Sequence, residues 1–445
     1  MQSTYSRFTV LLLSTLGLFS VLPGTAQAAP VDSANITKRA PTWGFPYGST
    51  KVRGVNLGGW LVLEPWITPS LFEGTGNNGI VDEWTFCQYQ DYNTAHSKLV
   101  NHWNTWITYN DFVAIKAAGL NHVRLPIGYW AWDISRGEPY HQGQLAYLNS
   151  AVGWARQVGL KVLIDLHGAP GSQNGYDNSG HKVSYPLWHT SSDNIARTNA
   201  IIKTLASQFS SQTDVVIGIA PLNEPAGYFG NDVLSVTRQY WYDSYGNIRY
   251  PYGTSQQGAL IEVIHDAFQP LSYWSGFPPG PFEGVMMARP RFRAQRTSKS
   301  SLFVLEAETS GTSTCGRLWA SGVLRVRIAP RKVQCLHPLP PKVTHAQYIN
   351  GRGVGARYDG SYPGSTYVGS CSGFSGSGAT FSQSYKTFLR RFWEAETQAF
   401  ERGAGWVFWT WKAESSDEWS YSAGLNYGWI PQDPTQKIYG NICGY

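Results

Sequence analysis

The chain has 445 residues, a formal net charge of +6, only 14% charged residues, and 19 Trp, 26 Tyr and 47 Gly. Its N-terminal apolar run is shorter than the roughly 20 residues a membrane span requires and no later run qualifies, which excludes a membrane anchor. Neither C-x-x-C nor H-E-x-x-H occurs, so no patterned metal site is supported. The charge excess is local: residues 288–345 hold eleven Lys and Arg against two Asp and Glu, and the remainder holds 24 against 27, which excludes a chain-wide polyanion-binding surface.

In chain order, the first stretch, MQSTYSRFTVLLLSTLGLFSVLPGTAQAAP, sets Arg7 before an apolar run that ends near Leu22, followed by Ala26-Gln27-Ala28. That layout predicts a secretory signal peptide over 1–28. Lys38-Arg39 resembles a dibasic processing site, which makes 29–39 a propeptide and Ala40 the mature start. The sequon Asn35-Ile36-Thr37 falls in the removed piece. About 400 residues remain, enough for one large α/β barrel or two smaller domains.

Short apolar segments then recur, beginning at Val52, His122, Lys161, Val215, Leu260, Glu283 and Gly405. Most are continuous rather than alternating, as in strands buried on both faces. Helical patterns such as WITYNDFVAIKAAG, LAYLNSAVGWARQVG and IARTNAIIKTLASQFS lie between them. The alternation predicts parallel strands with right-handed crossovers, and one strand more would close a (β/α)8 TIM barrel. A doubly wound sheet ranks lower, because GVNLGGW after the first strand is not G-x-G-x-x-G. Loops at 68–82, 170–186 and 351–380 are rich in Gly, Ser, Asn and Tyr; the last holds enough aromatic residues to predict a packed loop over a cleft.

Barrel chemistry sits at the C-terminal ends of strands. Found there are Arg124, His167, Asn223, Glu224, Trp409 and Trp411, residue types that grip a sugar and cleave a bond. Each has a plainer reading: Glu224 as an ordinary strand-end carboxylate, Arg124 as a structural ion-pair partner, His167 as a satisfied core histidine, and most of the C-terminal tryptophans as core.

With these residues in view, the chain resembles the fungal exo-β-1,3-glucanases of glycoside hydrolase family 5. The likeness runs through VRGVNLGGWLVLEPWITPSLFE, VRLPIGYWAW, LIDLHGAPGSQNG, PLNEPAG, IHDAFQPLSYWSGF and GWVFWTWKAE, covering about 44–287 and 346–445. It implies a single barrel over 40–445 and a secreted monomer that releases glucose with retention from the non-reducing ends of β-1,3-glucan. It implies Glu224 as the acid/base, Asn223 on the sugar 2-hydroxyl, Arg124 and His167 at the pocket floor, and Glu64 on the terminal glucose. Trp409 or Trp411 would be the platform beneath that glucose. It requires no cofactor; Mn²⁺ is associated with similar enzymes, but no ligand set here supports it. β-Glucan transfer and β-1,6-glucan cleavage remain open on the same scaffold.

Glycoside cleavage with retention needs two carboxyl groups, one protonated to release the leaving oxygen and one ionised to attack the anomeric carbon. The family supplies the second in Gly-Glu-Trp after its seventh strand, with a His-x-Tyr after the sixth. Between Ala288 and His345 neither motif occurs. The aberrant segment 288–345 therefore predicts a seventh strand damaged or missing. A reading-frame or intron error explains its abrupt edges; a divergent insertion would leave a catalytically dead glucan-binding pseudoenzyme. A relocated nucleophile at Glu306 or Glu308 is disfavoured, since both lie too far before the point where the family pattern resumes. The arginines at 289–296 lack interleaved aromatics beyond Phe292, and secretion argues against a nucleic-acid partner. Five cysteines leave at least one unpaired. Cys87 and Cys443, near opposite ends of the mature chain, can form a bridge closing the barrel, and the resemblance implies that Cys371 lost its usual partner.

Overall fold

The structure, a computed structural model, describes residues 43–253, 256–278, 282–290, 303–306, 308–309, 324–325, 351–356, 358–440 and 442. The expected signal peptide, the expected propeptide, Cys443 and most of 288–345 lie outside the described residues.

All seven apolar segments form strands: β1 (Val52–Asn56), β2 (His122–Gly128), β3 (Lys161–Gly168), β4 (Val216–Ala220), β5 (Ile261–His265), β6 (Val285–Pro290) and, last in the chain, β10 (Gly405–Phe408). They run parallel, and a short strand β7 (Phe303–Glu306) completes a closed barrel in the order β1-β10-β7-β6-β5-β4-β3-β2. The damage expected at the seventh position takes a specific form. β7 has four residues and runs antiparallel to both neighbours, pairing Phe303 with Pro290 and Glu306 with Met287 on one side, and Phe303 with Val407 on the other. Two further short strands, β8 (Glu308–Thr309) and β9 (Leu324–Arg325), pair only with each other.

Helices α1 (Pro69–Glu73), α2 (Glu83–Gln88), α3 (Tyr92–Thr105) and α4 (Tyr109–Ala117) link β1 to β2. Single helices α5 (Gln144–Val158), α6 (Ser192–Phe209) and α7 (Asn231–Arg249) follow β2, β3 and β4, while α8 (Gln383–Phe400) precedes β10 and α9 (Tyr421–Tyr427) follows it. The helix starts are written in the sequence: Asp82, Asp91, Ser191 and Ser382 each accept a backbone N–H of the first turn, satisfying donors that the helix cannot. Gly159, at φ 76°, takes the left-handed cap that ends α5.

Two-residue periodicity sorts the strand side chains. Val123, Leu125, Ile127, Val162, Ile164, Leu166, Trp406 and Phe408 face the helices in one apolar layer. Leu163, Ile217, Val263, Met286, Ala288 and Val407 fill the barrel interior. The inward positions one step further along the strands hold polar residues instead, and these build the site. Buried Cys87 makes no disulfide among the described residues. No helix among them is long and apolar enough to cross a membrane.

Candidate active site

Above the apolar floor, Arg124 stands at the centre. Its guanidinium donates to Asn56 Oδ1 at 2.8 Å and to Asn223 Oδ1 at 2.9 Å, and it pairs with Asp165 Oδ1 at 2.6 Å. Both ion-pair partners are almost fully buried, so their attraction is little screened by water. Burial pulls the Arg124 pKa down, and the carboxylates of Asp165, Glu224 and Glu64 push it back.

The other Asp165 oxygen accepts the Nδ1 proton of His167 at 2.6 Å, which assigns the tautomer and points Nε2 toward Glu64 Oε1, 3.8 Å away. The His167 ring stacks on Trp409, with centroids 5.4 Å apart and planes 9° from parallel. Glu64 accepts the Trp66 indole N–H at 3.1 Å. Arg124, Asp165 and His167 thus form one rigid unit whose orientation comes from strand parity: Leu163, Asp165 and His167 share the inner face of β3.

Asn223 and Glu224 follow β4. Gln173 straps this turn to β3, donating through Nε2 to the carbonyls of His167 and Asn223 at 2.7 and 2.8 Å. Glu224 sits at φ 50°, a left-handed conformation that costs a non-glycine residue about 1–3 kcal/mol and persists only where the surroundings impose it. Its Oε2 accepts from Asn178 Nδ2 at 3.0 Å. Asn223 Nδ2 and His167 Nε2 are buried and carry no hydrogen bond within the described structure. Buried polar atoms without a partner call for an explanation, and a bound polar ligand is one.

His265, at the inner end of β5, also lines this pocket with Arg124, Asp165 and Asn223. Its Nδ1 accepts the Ala267 N–H at 2.9 Å. Burial and then the Arg124 charge push its pKa well down, so the ring is neutral.

The structure brings Glu224, Asn223, Arg124, His167, Glu64 and Trp409 into one neighbourhood. It does not bring Trp411 there. That indole donates to Asp111 Oδ1 at 2.9 Å, and the ring packs beside Tyr421 in the layer under the helices. Asn56, Asp165, His265, Gln173 and Asn178 were missed by strand-end reasoning; the inner parity of β3 and β5 would have found Asp165 and His265. Among the described residues, no group of three or more His, Cys, Asp or Glu is placed to hold a metal.

At the seventh-strand position the antiparallel register carries Glu306 toward the N-terminal end of the barrel, opposite Met287, while Phe303 occupies the end shared with Glu224. The backbone of Glu306 therefore lies toward the end of the barrel opposite the Glu224 end, while Glu308 belongs to the separate β8–β9 pair.

Residues 83–244 match the model of the Cellulase family, glycosyl hydrolase family 5. The chain is 41% identical over 404 residues to a glucan 1,3-beta-glucosidase of Blumeria graminis, covering 90% of this chain and 91% of that one. It is 39% identical over 427 residues to a probable glucan 1,3-beta-glucosidase A of Aspergillus niger, covering 95% and 97%. Among solved structures, a rutinosidase from Aspergillus niger superposes with a TM-score of 0.60 at 16% identity, covering 86% of this chain and 99% of that one, a likeness of fold.

Proposed function

The chain belongs to glycosyl hydrolase family 5, among its fungal glucan 1,3-beta-glucosidases, and from that premise we propose a secreted, exo-acting β-1,3-glucan hydrolase built for retention, with Glu224 as its proton donor. The observation that carries the reading is Glu224 next to Asn223, whose Oδ1 is bound by Arg124 and whose buried Nδ2 carries no hydrogen bond, with Arg124 in turn paired to Asp165 and through it to His167. A terminal glucose would lie with its ring face on Trp409 and its hydroxyls on Glu64, His167, Arg124 and Asn223. Glu224 would then reach the glycosidic oxygen and protonate it as the bond to the anomeric carbon breaks.

Retention needs a second carboxylate about 5–5.5 Å from the first, on the opposite face of the sugar. Residues 288–345 contain no Gly-Glu-Trp to supply it. In our reading this chain therefore grips glucan without cleaving it, and a frame or splice error in 288–345 separates it from an active parent. Two measurements test this. The chain as written should bind laminaribiose yet release no glucose from laminarin. A chimera carrying the corresponding segment of the Blumeria graminis relative should release glucose, with the β-anomer appearing first by proton NMR. Glucose release by the chain as written would overturn the missing-partner reading; an inactive but folded chimera would overturn the hydrolase reading.

A further inference from the structure

The start of α2 is bonded to more of the chain than its own first turn. Asp82 caps the helix, accepting the Thr85 N–H through Oδ1 at 2.7 Å, while its Oδ2 accepts the Lys182 N–H at 2.6 Å. The Trp84 N–H donates to the Gly180 carbonyl at 2.8 Å, and the Trp84 ring stacks on His181 with centroids 4.0 Å apart and planes 6° from parallel. Between them Glu83 is buried, at 1% exposure. Its Oε2 accepts the Leu63 N–H at 2.8 Å, and its Oε1 accepts the Trp130 indole N–H at 2.9 Å. Helix capping accounts for one Asp82 oxygen; the other, and both oxygens of Glu83, serve distant segments.

Those segments are the ones that carry the site. Leu63 immediately precedes Glu64, whose carboxylate faces His167. Gly180 and Lys182 follow Asn178, the donor to Glu224. Trp130 is fully buried, stacked on Tyr140 at 4.1 Å and 8°, and lies against Gly128 at the end of β2, Gly168 next to His167, and Gly180. A Cβ on any of these three glycines would overlap the indole ring, so the ring sets how closely the three backbones approach. Glu83 therefore ties the backbone beside Glu64 to the indole that packs the ends of β2 and β3 and the loop of Asn178. Hydrogen bonds are directional where apolar packing is not, so two of them on one buried carboxyl fix both position and orientation. Site groups held by such a supporting layer keep their geometry to a fraction of an ångström.

We propose that Glu83 is a positioning residue, which sets Glu64 against the acid Glu224 by acting through Leu63 on one side and through Trp130 and the loop of Asn178 on the other. It rests on the glucan reading of the site. Calorimetric titration of the chain as written with laminaribiose tests it. Glu83→Gln keeps the shape but replaces one accepting oxygen with an NH2, which leaves the N–H of Leu63 or of Trp130 buried without an acceptor. Its Kd should rise about tenfold, or about 1.4 kcal/mol. Glu262→Gln removes a different buried carboxyl, the one bound by Ser244 of α7, and should leave Kd unchanged. In a Glu64→Gln background, which keeps a donor and an acceptor for sugar hydroxyls, the further loss from Glu83→Gln should shrink below about twofold, because the two residues act through one contact. A purely structural residue would cost the same in both backgrounds. Undiminished affinity in a folded Glu83→Gln chain overturns the proposal, as does an equal loss in both backgrounds or in Glu262→Gln. Should Glu83→Gln fail to fold, Glu83→Asp, which keeps the carboxyl but shortens its reach, is judged by the same outcomes. Failure of the parent chain to bind laminaribiose overturns the glucan reading itself.

Discussion

Arg124 and Asp165 show how one buried ion pair sets the geometry of everything around it. The pair orients Asn223 on one side and His167 on the other, so neither pocket-lining group moves independently. Asp165→Asn would remove the carboxylate paired directly with the buried guanidinium. We expect a loss of about 3–5 kcal/mol in unfolding free energy by urea titration, because breaking one half of a buried pair strands the other charge. A loss below about 1 kcal/mol, the scale of surface pairs, would contradict the central role given to the pair. At this scale the sequence was partly readable. His167, Asn223 and Glu224 were legible because they end apolar runs; Arg124, expected at a strand end, is instead the third residue of β2 and stood out as a charge inside its run. Asp165 sits inside its run, where only inner-face parity marks it. Trp409 and Trp411 were inseparable: two residues apart, they would share a face if the strand went on, but β10 ends at Phe408 and the alternation lapses.

Among the elements, the closing strand β10 depends on a single glycine. Gly405 has φ 134°, outside the range comfortable for other residues, and a Cβ there would overlap the Val52 carbonyl across the β1–β10 pairing. Gly405→Ala combines backbone strain with overpacking, and about 1–3 kcal/mol of destabilisation is expected by the same titration. A neutral effect would show that the two strands can separate at no cost. The seven parallel strands and the first crossover helices were legible from period and caps. The direction of β7 was not. FVLE reads as an apolar run in either orientation, and strand direction is decided by what the neighbouring edges accept, which no local pattern encodes.

For the whole molecule, buried titratable groups away from the site set the response to pH. Burial pushes Glu83 and Glu262 up to about 8, against about 4.3 for a free glutamic acid. Between those values the folded chain holds protons that the unfolded chain has released. Their contribution is complete below the unfolded value and is lost as pH rises toward 8. Burial pushes His102 down to about 4 and His122 to about 3, against about 6.5 when free. Here the unfolded chain binds protons first, so this contribution is complete above 6.5 and is lost as pH falls through 4 and then 3. The melting temperature should therefore be highest between about pH 4.3 and 6.5 and fall on both sides. Glu262→Gln, which keeps a partner for the Ser244 hydroxyl, should flatten the alkaline limb; an equally steep limb would contradict the assignment.

The barrel as a whole was legible because its repeat recurs along most of the chain, and the damage to the seventh strand was legible because composition and charge change there together. In the function proposed above, Glu224 is the acid of a glucan-cleaving pair whose partner this chain lacks. Its most direct test is the laminarin turnover number of the chimera with and without Glu224→Gln. The variant should lose about 10²–10⁴-fold in turnover while still binding laminaribiose. Turnover within a few-fold of the unsubstituted chimera would contradict the claim.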